Sequence, residues 1–377
     1  MAAALIDSYW QDWLDLLIRW LHVIAGIVWI GTSFYFVALD NHLGRPREQR
    51  DVDDGVGGES WEIHGGGFYR ISKWTVAPRE LPEPLHWFKW EAYTTWLSGF
   101  ALLVVLYYLD AETYLIDPSV RDISEGAAIT LSLLGLGAAW VLYDVACRVI
   151  RIEALMGVFM LALVVASAYG AGQVFSGRAA YLQVGAMLGT IMAANVLFNI
   201  IPAHWELIRA KERGESPDPA PGLEAKRRSV HNNYLTLPVL FTMLVGHFAF
   251  VFGHEHAWLA LVLISVLLAG VRHFFNLWHT GRRAWWIPAV AAVGAVALAL
   301  WLEPEDTTAA DVGPVAFAQV QPIVEQRCAT CHSGAAAPLG VRLETEAEIT
   351  ARAEDIERQA VLTRAMPPGN ATGMTDE

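Results

Sequence analysis

Long apolar segments follow one another along most of the chain. Each has roughly the 20 residues that a helix needs to cross the hydrocarbon core of a bilayer. We predict eight membrane spans, at residues 13–38, 90–109, 124–147, 152–174, 179–205, 232–252, 257–279 and 284–302. Polar amides interrupt the fifth span, and the interior of a helix bundle can satisfy such groups. The pattern therefore predicts the all-α fold class, with a polytopic membrane helix bundle over residues 1–302.

The segments outside the spans have different patterns. Glu59–Pro78 alternates polar and apolar residues about a triple glycine, which predicts a β-hairpin inserted into the bundle domain. The hairpin is a cap over a cytoplasmic pocket, a plain scaffold or a solvated connector. Residues 303–313 are acidic and predict a linker. Residues 314–377 predict a small α-helical domain, with helices at Pro314–Arg327 and Glu344–Ala365.

The composition agrees with a membrane protein, because 54% of the residues are hydrophobic and only 17% are charged. The formal net charge of −13 argues against a nucleic-acid partner. Lysine and arginine are concentrated after the first, third, fifth and seventh spans, whereas the alternate loops hold only Arg121 and Arg178. The positive-inside rule then predicts that both termini lie outside the cytoplasm, in the periplasm of a bacterial inner membrane.

A five-residue motif near the end of the chain specifies a cofactor. Cys328, Cys331 and His332 form the sequence C-x-x-C-H, the attachment signature of a c-type haem. Each cysteine can form a thioether with a haem vinyl group, and His332 is placed to be an axial ligand of the iron. A chance match, half of a zinc site and a redox dithiol are the alternatives. The motif predicts a covalent haem c, which agrees with a periplasmic location because this haem is attached on that side.

A methionine downstream is the expected sixth ligand of the haem iron. Met366 precedes two prolines, which favour an extended strap across the haem face. Met374 and an open site are the alternatives, and methionine ligation would raise the reduction potential. Met374–Glu377 resembles the N-cap of the helix that usually closes a class I cytochrome c. We therefore expect either a truncated sequence or a short domain that lacks its last helix.

Ionisable residues within spans are costly and are therefore candidate functional residues. His22 in the first span and His247 in the sixth are predicted at similar depth, in the outer half of the membrane. They are candidate ligands of a haem b, and the alternative is two neutral histidines hydrogen-bonded within the bundle. Further histidines lie toward the inner half, at His204, His231, His273 and His279. These histidines meet water at helix ends, or they contribute to a substrate pocket or a second haem.

Two groups of polar residues are spaced to face a ligand that is buried in the bundle. Arg272 adjoins His273, with Asn276 one turn later, and Asn195 and Asn199 are one turn apart in the fifth span. Residues four positions apart share a face of a helix, so each group can present its charge or amides on one side. These five residues are candidate catalytic residues that would bind a buried anion.

Together these features resemble one family of membrane enzymes. The features are an eight-span region, the segment Trp61–Tyr69, the helix end Ile201–Trp205 and a fused C-x-x-C-H domain. With them the chain is similar to the bacterial membrane-bound urate oxidases, also called urate hydroxylases. The resemblance implies oxidation of urate to 5-hydroxyisourate. It also implies that electrons leave one at a time through haem c to a respiratory acceptor, a soluble cytochrome c or a terminal oxidase, rather than directly to oxygen.

The resemblance supplies no substrate-binding residues, and other functions fit the same architecture. One alternative is a respiratory protein that carries electrons from quinol to a cytochrome, for which a haem b in the membrane is expected. Another is a transporter or a copper-handling membrane protein with a redox domain attached. Reduction of the haem by urate is expected only of the urate oxidase.

Overall fold

Helices make up most of the computed structural model, with 70% of residues helical and 5% in strands. The structure describes residues 8–303, 315–334, 337–362, 365–370 and 372–374. In the first part the elements are α1 (Ser8–His42), α2 (Gln49–Asp53), β1 (Val56–His64), β2 (Gly67–Trp74), α3 (Trp90–Leu103), α4 (Ala111–Tyr114), α5 (Glu125–Val149) and α6 (Glu153–Gly172). They continue with α7 (Gly177–Asn195), α8 (Ile201–Glu212), α9 (Ala220–Leu244), α10 (Ala249–Phe252), α11 (Ala257–His279), α12 (Trp286–Trp301), α13 (Phe317–Arg327), α14 (Glu346–Thr350) and α15 (Ala353–Ile356).

Five helical segments are long and apolar enough to cross a membrane in the part of the chain that the structure describes: Tyr9–His42, Glu125–Val149, Glu153–Gly172, Gly177–Glu212 and Ala257–His279. The other predicted spans are helical but less regular. A π-helical turn extends α3 to Tyr108, α9 ends at Leu244, and α12 has 16 residues. Large apolar side chains such as Ile27, Val293 and Leu300 are exposed on outer faces, which is compatible with contact with lipid.

The core of the bundle forms around α7. This helix packs against α5, α6 and α9, while α11 packs against α6, α9 and α12. Tyr143, Tyr181 and Ile191 are fully buried where these helices meet. Gly185 permits the closest approach, because a Cβ atom there would overlap the side chain of Thr242 on α9. Helices α7 and α9 therefore form a tight pair, and their facing residues have little freedom to move.

The two strands form an antiparallel hairpin, as the alternating pattern predicts. Gly65 and Gly66 form its turn with φ angles of 56° and 82°, a region that favours glycine. The buried carboxylate of Glu59 on β1 accepts a hydrogen bond of 2.7 Å from Arg70 on β2. The hydrogen bonds that Arg70 donates to the Glu59 and Asp51 carboxylates raise the pKa of Arg70. This partly buried ion pair links the two strands.

The hairpin is attached to the ends of two bundle helices. Tyr35 on α1 donates a hydrogen bond of 2.7 Å to Glu62 on β1. Asp40 on α1 pairs with Lys73 of β2 at 2.5 Å and with Lys226 of α9 at 3.2 Å. One carboxylate thus joins the hairpin, α1 and α9, which is consistent with a cap or a scaffold and does not fit a solvated connector.

The C-terminal region differs in part from expectation. Helix α13 lies within the predicted segment Pro314–Arg327, but the single helix predicted at Glu344–Ala365 is broken into α14, α15 and a π-helical turn at Glu357–Leu362. The Arg352 amide donates a hydrogen bond of 3.1 Å to the Ile349 carbonyl, three residues earlier. This 3-10 turn is tighter than an α-helical turn and ends the α-helical hydrogen-bond pattern. Most of the predicted linker and Thr375–Glu377 lie outside the described residues.

A small apolar cluster nevertheless holds the C-terminal region together. Val324 of α13, Leu343 and Ile349 of α14 are buried against one another. The short 3-10 turn Pro368–Asn370 packs against α4 of the bundle. The C-terminal region therefore touches the bundle at the loop that follows α3.

Candidate functional site

The first half of α9 carries the most polar segment that the bundle buries. The segment Arg227–Tyr234 faces α7 on one side and α11 on the other, and Arg228, Asn232 and Asn233 are buried. Consecutive residues of a helix point about 100° apart, so Asn232 and Asn233 meet different neighbouring helices. Two separate polar networks result, one against α11 and one against α5 and α7.

The network against α11 consists of Asn233, Arg272 and Asn276, which we call the amide cluster. Asn233 Oδ1 accepts hydrogen bonds from Arg272 Nε at 2.9 Å and from Asn276 Nδ2 at 3.0 Å. The three residues are 0%, 5% and 9% exposed. The Arg272 guanidinium lies over the ring of Phe34 on α1, with its Cζ atom 3.8 Å from the ring centroid.

The amide cluster has unused hydrogen-bonding capacity. Asn233 Nδ2, Arg272 Nη2 and Asn276 Oδ1 are buried and have no hydrogen-bond partner among the described residues. Arg272 also forms no ion pair with a carboxylate in the ranges that the structure describes. Buried polar groups in proteins are nearly always hydrogen-bonded, and a buried charge without a counter-ion is costly. Two free donors, one free acceptor and an unbalanced positive charge together suit an anion with donor and acceptor groups.

The structure brings two of the five predicted site residues, Arg272 and Asn276, into the amide cluster. His273 adjoins Arg272 in sequence but is exposed on another face, where its Nδ1 atom lies 2.7 Å from the Tyr234 hydroxyl. Asn233, which joins Arg272 to Asn276, was missed by sequence reasoning. The signal that marks it is a pair of adjacent amides, Asn232 and Asn233, at the start of an apolar span.

The network against α5 and α7 is centred on Asn195, which is fully buried. Its Nδ2 atom donates to the Tyr143 hydroxyl at 3.0 Å and to Asn232 Oδ1 at 2.9 Å. Its Oδ1 atom accepts a hydrogen bond of 3.0 Å from Arg228, whose charge Asp144 balances at 2.8 Å. The hydrogen-bonding groups of Asn195 are thus occupied, and this residue is suited to holding the network in place.

Asn199 does not share the hydrogen-bond partners of Asn195 among the described residues, contrary to expectation. A π-helical turn at Val196–Ile200 follows Asn195 directly. Asn199 instead lines a cavity of about 600 Å³ beside Arg227 and Arg228. Its Nδ2 atom is buried without a partner among the described residues.

His22 is held by the neighbouring helix α3. Its Nδ1 atom lies 3.0 Å from the Thr95 carbonyl oxygen and 3.1 Å from Ser98 Oγ. Gly99 leaves room for the ring, because a Cβ atom there would be 2.8 Å from His22 Cε1. A carbonyl acceptor favours the tautomer with a proton on Nδ1, which leaves Nε2 free to bind a metal.

The structure does not bring His22 and His247 into direct contact. His247 is exposed in a 3-10 turn at Val245–His247, because α9 has already ended at Leu244. No hydrogen bond or ring contact joins the two histidines in the described part of the chain. The geometry of His22 suits a haem ligand, and a haem b between His22 and His247 stays a prediction.

The residues of the C-x-x-C-H motif are arranged compatibly with haem c. Cys328 and His332 lie on one turn after α13, with a hydrogen bond of 2.9 Å from the His332 amide to the Cys328 carbonyl. His332 Nδ1 lies 2.9 Å from the Val341 carbonyl, which leaves Nε2 for the iron. Cys331 is exposed and Cys328 is half-buried. Burial raises the pKa of the Cys328 thiol, and the nearby Cys331 adds to this effect.

The two candidate methionine ligands lie in the last described segments. Met366 is half-exposed, and its amide donates to the Gln359 carbonyl at 2.9 Å. The Met374 amide donates to Asn370 Oδ1 at 2.7 Å. The motif residues therefore fit a covalently bound haem with His332 as one ligand, and Met366 as the other axial ligand stays a prediction.

Comparison with known protein families gives a match over most of the chain. The family model described as Urate oxidase N-terminal matches residues 8–303, which include the whole bundle and the amide cluster. The match ends before the C-x-x-C-H motif. No curated protein and no solved structure matches the chain.

Proposed function

The chain belongs to the urate oxidase N-terminal family, and on that premise we propose that it is a membrane-bound urate oxidase. It converts urate to 5-hydroxyisourate within an eight-span bundle of a bacterial inner membrane. The electrons leave through haem c on Cys328, Cys331 and His332, with Met366 as the second axial ligand. A soluble cytochrome c or a terminal oxidase accepts them in the periplasm.

The amide cluster is the observation that carries this proposal for the substrate. Urate is a planar monoanion whose edge alternates carbonyl oxygens and N–H groups. Arg272 Nη2 and Asn233 Nδ2 can donate to carbonyl oxygens, and Asn276 Oδ1 can accept from an N–H group. The anionic charge of urate would balance the buried Arg272 cation, which has no carboxylate partner among the described residues.

The overall reaction requires an electron acceptor and a path for protons. Urate and water give 5-hydroxyisourate, two electrons and two protons. Haem c, when bound, accepts one electron at a time, so the oxidation proceeds in two transfers. The packing of Pro368–Asn370 against α4 supports transfer within one chain, since it holds the C-terminal region on the bundle.

Anaerobic titration of the purified protein with urate tests the proposal. We expect urate to produce the α-band of reduced haem c, with one urate reducing two haems. Arg272→Gln should abolish reduction by urate while dithionite still reduces the haem. Arg148→Gln is the matched control, because Arg148 is exposed and its ion pair within the described ranges is with Asp144.

Two results would count against the urate reaction. If dithionite reduces the haem and urate does not, the chain is not a urate oxidase. If a quinol reduces the haem where urate fails, the respiratory alternative replaces the proposal. Melting temperature and haem content of each variant show whether loss of reduction reflects loss of the fold.

A further inference from the structure

A chain of hydrogen bonds connects the buried interior of the bundle with its surface. The Tyr143 hydroxyl on α5 lies 2.8 Å from His231 Nδ1 on α9. His231 Nε2 lies 2.9 Å from Glu153 Oε2 at the start of α6. Tyr143 is fully buried, whereas the Glu153 side chain is 60% exposed. Three ionisable groups on three helices thus form one continuous line from interior to solvent.

The neighbours of this line fix the direction of each hydrogen bond. Asn195 Nδ2 donates to the Tyr143 oxygen at 3.0 Å, so the hydroxyl proton is left to point at His231 Nδ1. His231 Nδ1 is then an acceptor, and Nε2 carries the proton that it donates to the Glu153 carboxylate. Each donor is aimed at the next acceptor outward, which is the order that proton transfer to the surface requires.

The charged groups around His231 keep the outer end ready to accept a proton. Arg227 holds Glu153 Oε1 at 2.5 Å, which leaves Oε2 facing His231 and keeps the carboxylate ionised between transfers. The other polar or charged neighbours are Tyr143 and Cys147 on α5 and Arg228 on α9. Cys147 Sγ is 3.6 Å from Nδ1.

We propose that Tyr143, His231 and Glu153 form a proton relay that carries the protons of substrate oxidation to the surface. This inference rests on the proposed function, because urate oxidation releases two protons in the bundle. In each transfer the Tyr143 O–H bond breaks as an N–H bond forms at His231 Nδ1. The Nε2–H bond breaks as an O–H bond forms on Glu153, which passes its proton to water.

The relay must also return to its starting state. Tyr143 regains its proton from the interior, where oxidation of the substrate supplies one. His231 returns to the tautomer protonated on Nε2 by exchange with water: Nε2 takes up a proton, and the ring, turned toward the surface, releases its Nδ1 proton to water. This step moves no net proton. Asn233 of the amide cluster lies two residues beyond His231 on the same helix, so the middle residue of the relay and the proposed substrate site share one helix.

Stopped-flow mixing of the full-length holoprotein with urate tests the relay. Haem reduction is followed by absorbance, and proton release is followed at the same time with a pH-indicator dye. We expect His231→Ala to slow both by about tenfold or more, because positioned proton transfer contributes roughly 10²–10⁴-fold. Added imidazole should restore most of the rate. Glu153→Gln should slow proton release and enlarge the solvent deuterium isotope effect, while Arg151→Gln, a surface change beside it, should alter neither.

The outcomes separate the relay from the function on which it rests. If urate fails to reduce the haem of the wild-type protein, the proposed function fails and the relay fails with it. If the wild type is active and His231→Ala matches it, the relay alone is wrong. A slow His231→Ala variant that imidazole does not rescue, with an unchanged isotope effect, would assign His231 a purely structural role and also overturn the relay.

Discussion

Two substitutions of Asn233 should separate the stability of the amide cluster from its ability to bind an anion. Asn233→Ala removes the oxygen that Arg272 and Asn276 share. Asn233→Asp keeps that oxygen and the shape of the side chain but replaces the free Nδ2 donor with a negative charge. We expect the first variant to be less stable and the second to fold well but bind urate poorly.

The magnitudes follow from the contacts. A neutral hydrogen bond contributes roughly 0.5–1.5 kcal/mol and one to a charged group roughly 1.5–3 kcal/mol, so Asn233→Ala should lose about 2–4 kcal/mol of unfolding free energy. In Asn233→Asp the new carboxylate neutralises Arg272. Two unit charges 4 Å apart interact by about 4 kcal/mol at an effective dielectric constant of about 20. Even a third of that energy raises the Kd for urate about tenfold.

Thermal unfolding in detergent and the urate concentration that half-reduces haem c measure the two effects. We expect Asn233→Asp to melt no lower than the wild type and to need about tenfold more urate. If Asn233→Asp binds urate as the wild type does, the amide cluster is not the anion site. If Asn233→Ala melts like the wild type, the two hydrogen bonds do not contribute as the geometry indicates.

Two further variants test other parts of the structure. Gly99→Ala should destabilise the bundle by about 1–3 kcal/mol, because its Cβ atom would lie 2.8 Å from His22 Cε1, whereas Gly137→Ala meets nothing within 4 Å and should melt unchanged. An equal melting temperature for both variants would contradict the close α1–α3 contact. Cys331→Ser should lower the amount of covalently bound haem, which is measured as a weaker haem-stained band on a denaturing gel. Cys147→Ser should leave the band unchanged. An unchanged band in Cys331→Ser would exclude Cys331 as an attachment site.

The positions of helices could be predicted from sequence where an apolar run is bounded by polar residues. The seventh predicted span has the same bounds as α11, and the alternating pattern of Glu59–Pro78 correctly indicates a hairpin. Such features depend on residues that are close in sequence, so the pattern contains the information. Spans two, six and eight are helical but shorter or broken, and their place in an eight-span bundle stays a prediction.

The grouping of side chains could be predicted less well. The expectation that Asn195 and Asn199 form one clamp rests on their spacing alone, whereas Tyr143, Asn232 and Arg228, all distant in sequence, occupy the hydrogen-bonding groups of Asn195. Arg272 and Asn276 meet through Asn233, a residue about 40 positions earlier, and no local pattern identifies such a partner. Likewise the Ile349–Arg352 turn that divides the predicted C-terminal helix contains neither glycine nor proline.

The adjacent amides on α9 have a mechanical consequence. Asn232 is hydrogen-bonded to α7 through Asn195, and Asn233 is hydrogen-bonded to α11 through Arg272. A rotation of α9 about its own axis must therefore change both contacts at once. Any ligand that rotated α9 by displacing Asn233 would also alter the distance from His231 to Tyr143. Ligand binding on the α11 side of α9 and proton transfer on its α5 side therefore depend on the orientation of one helix.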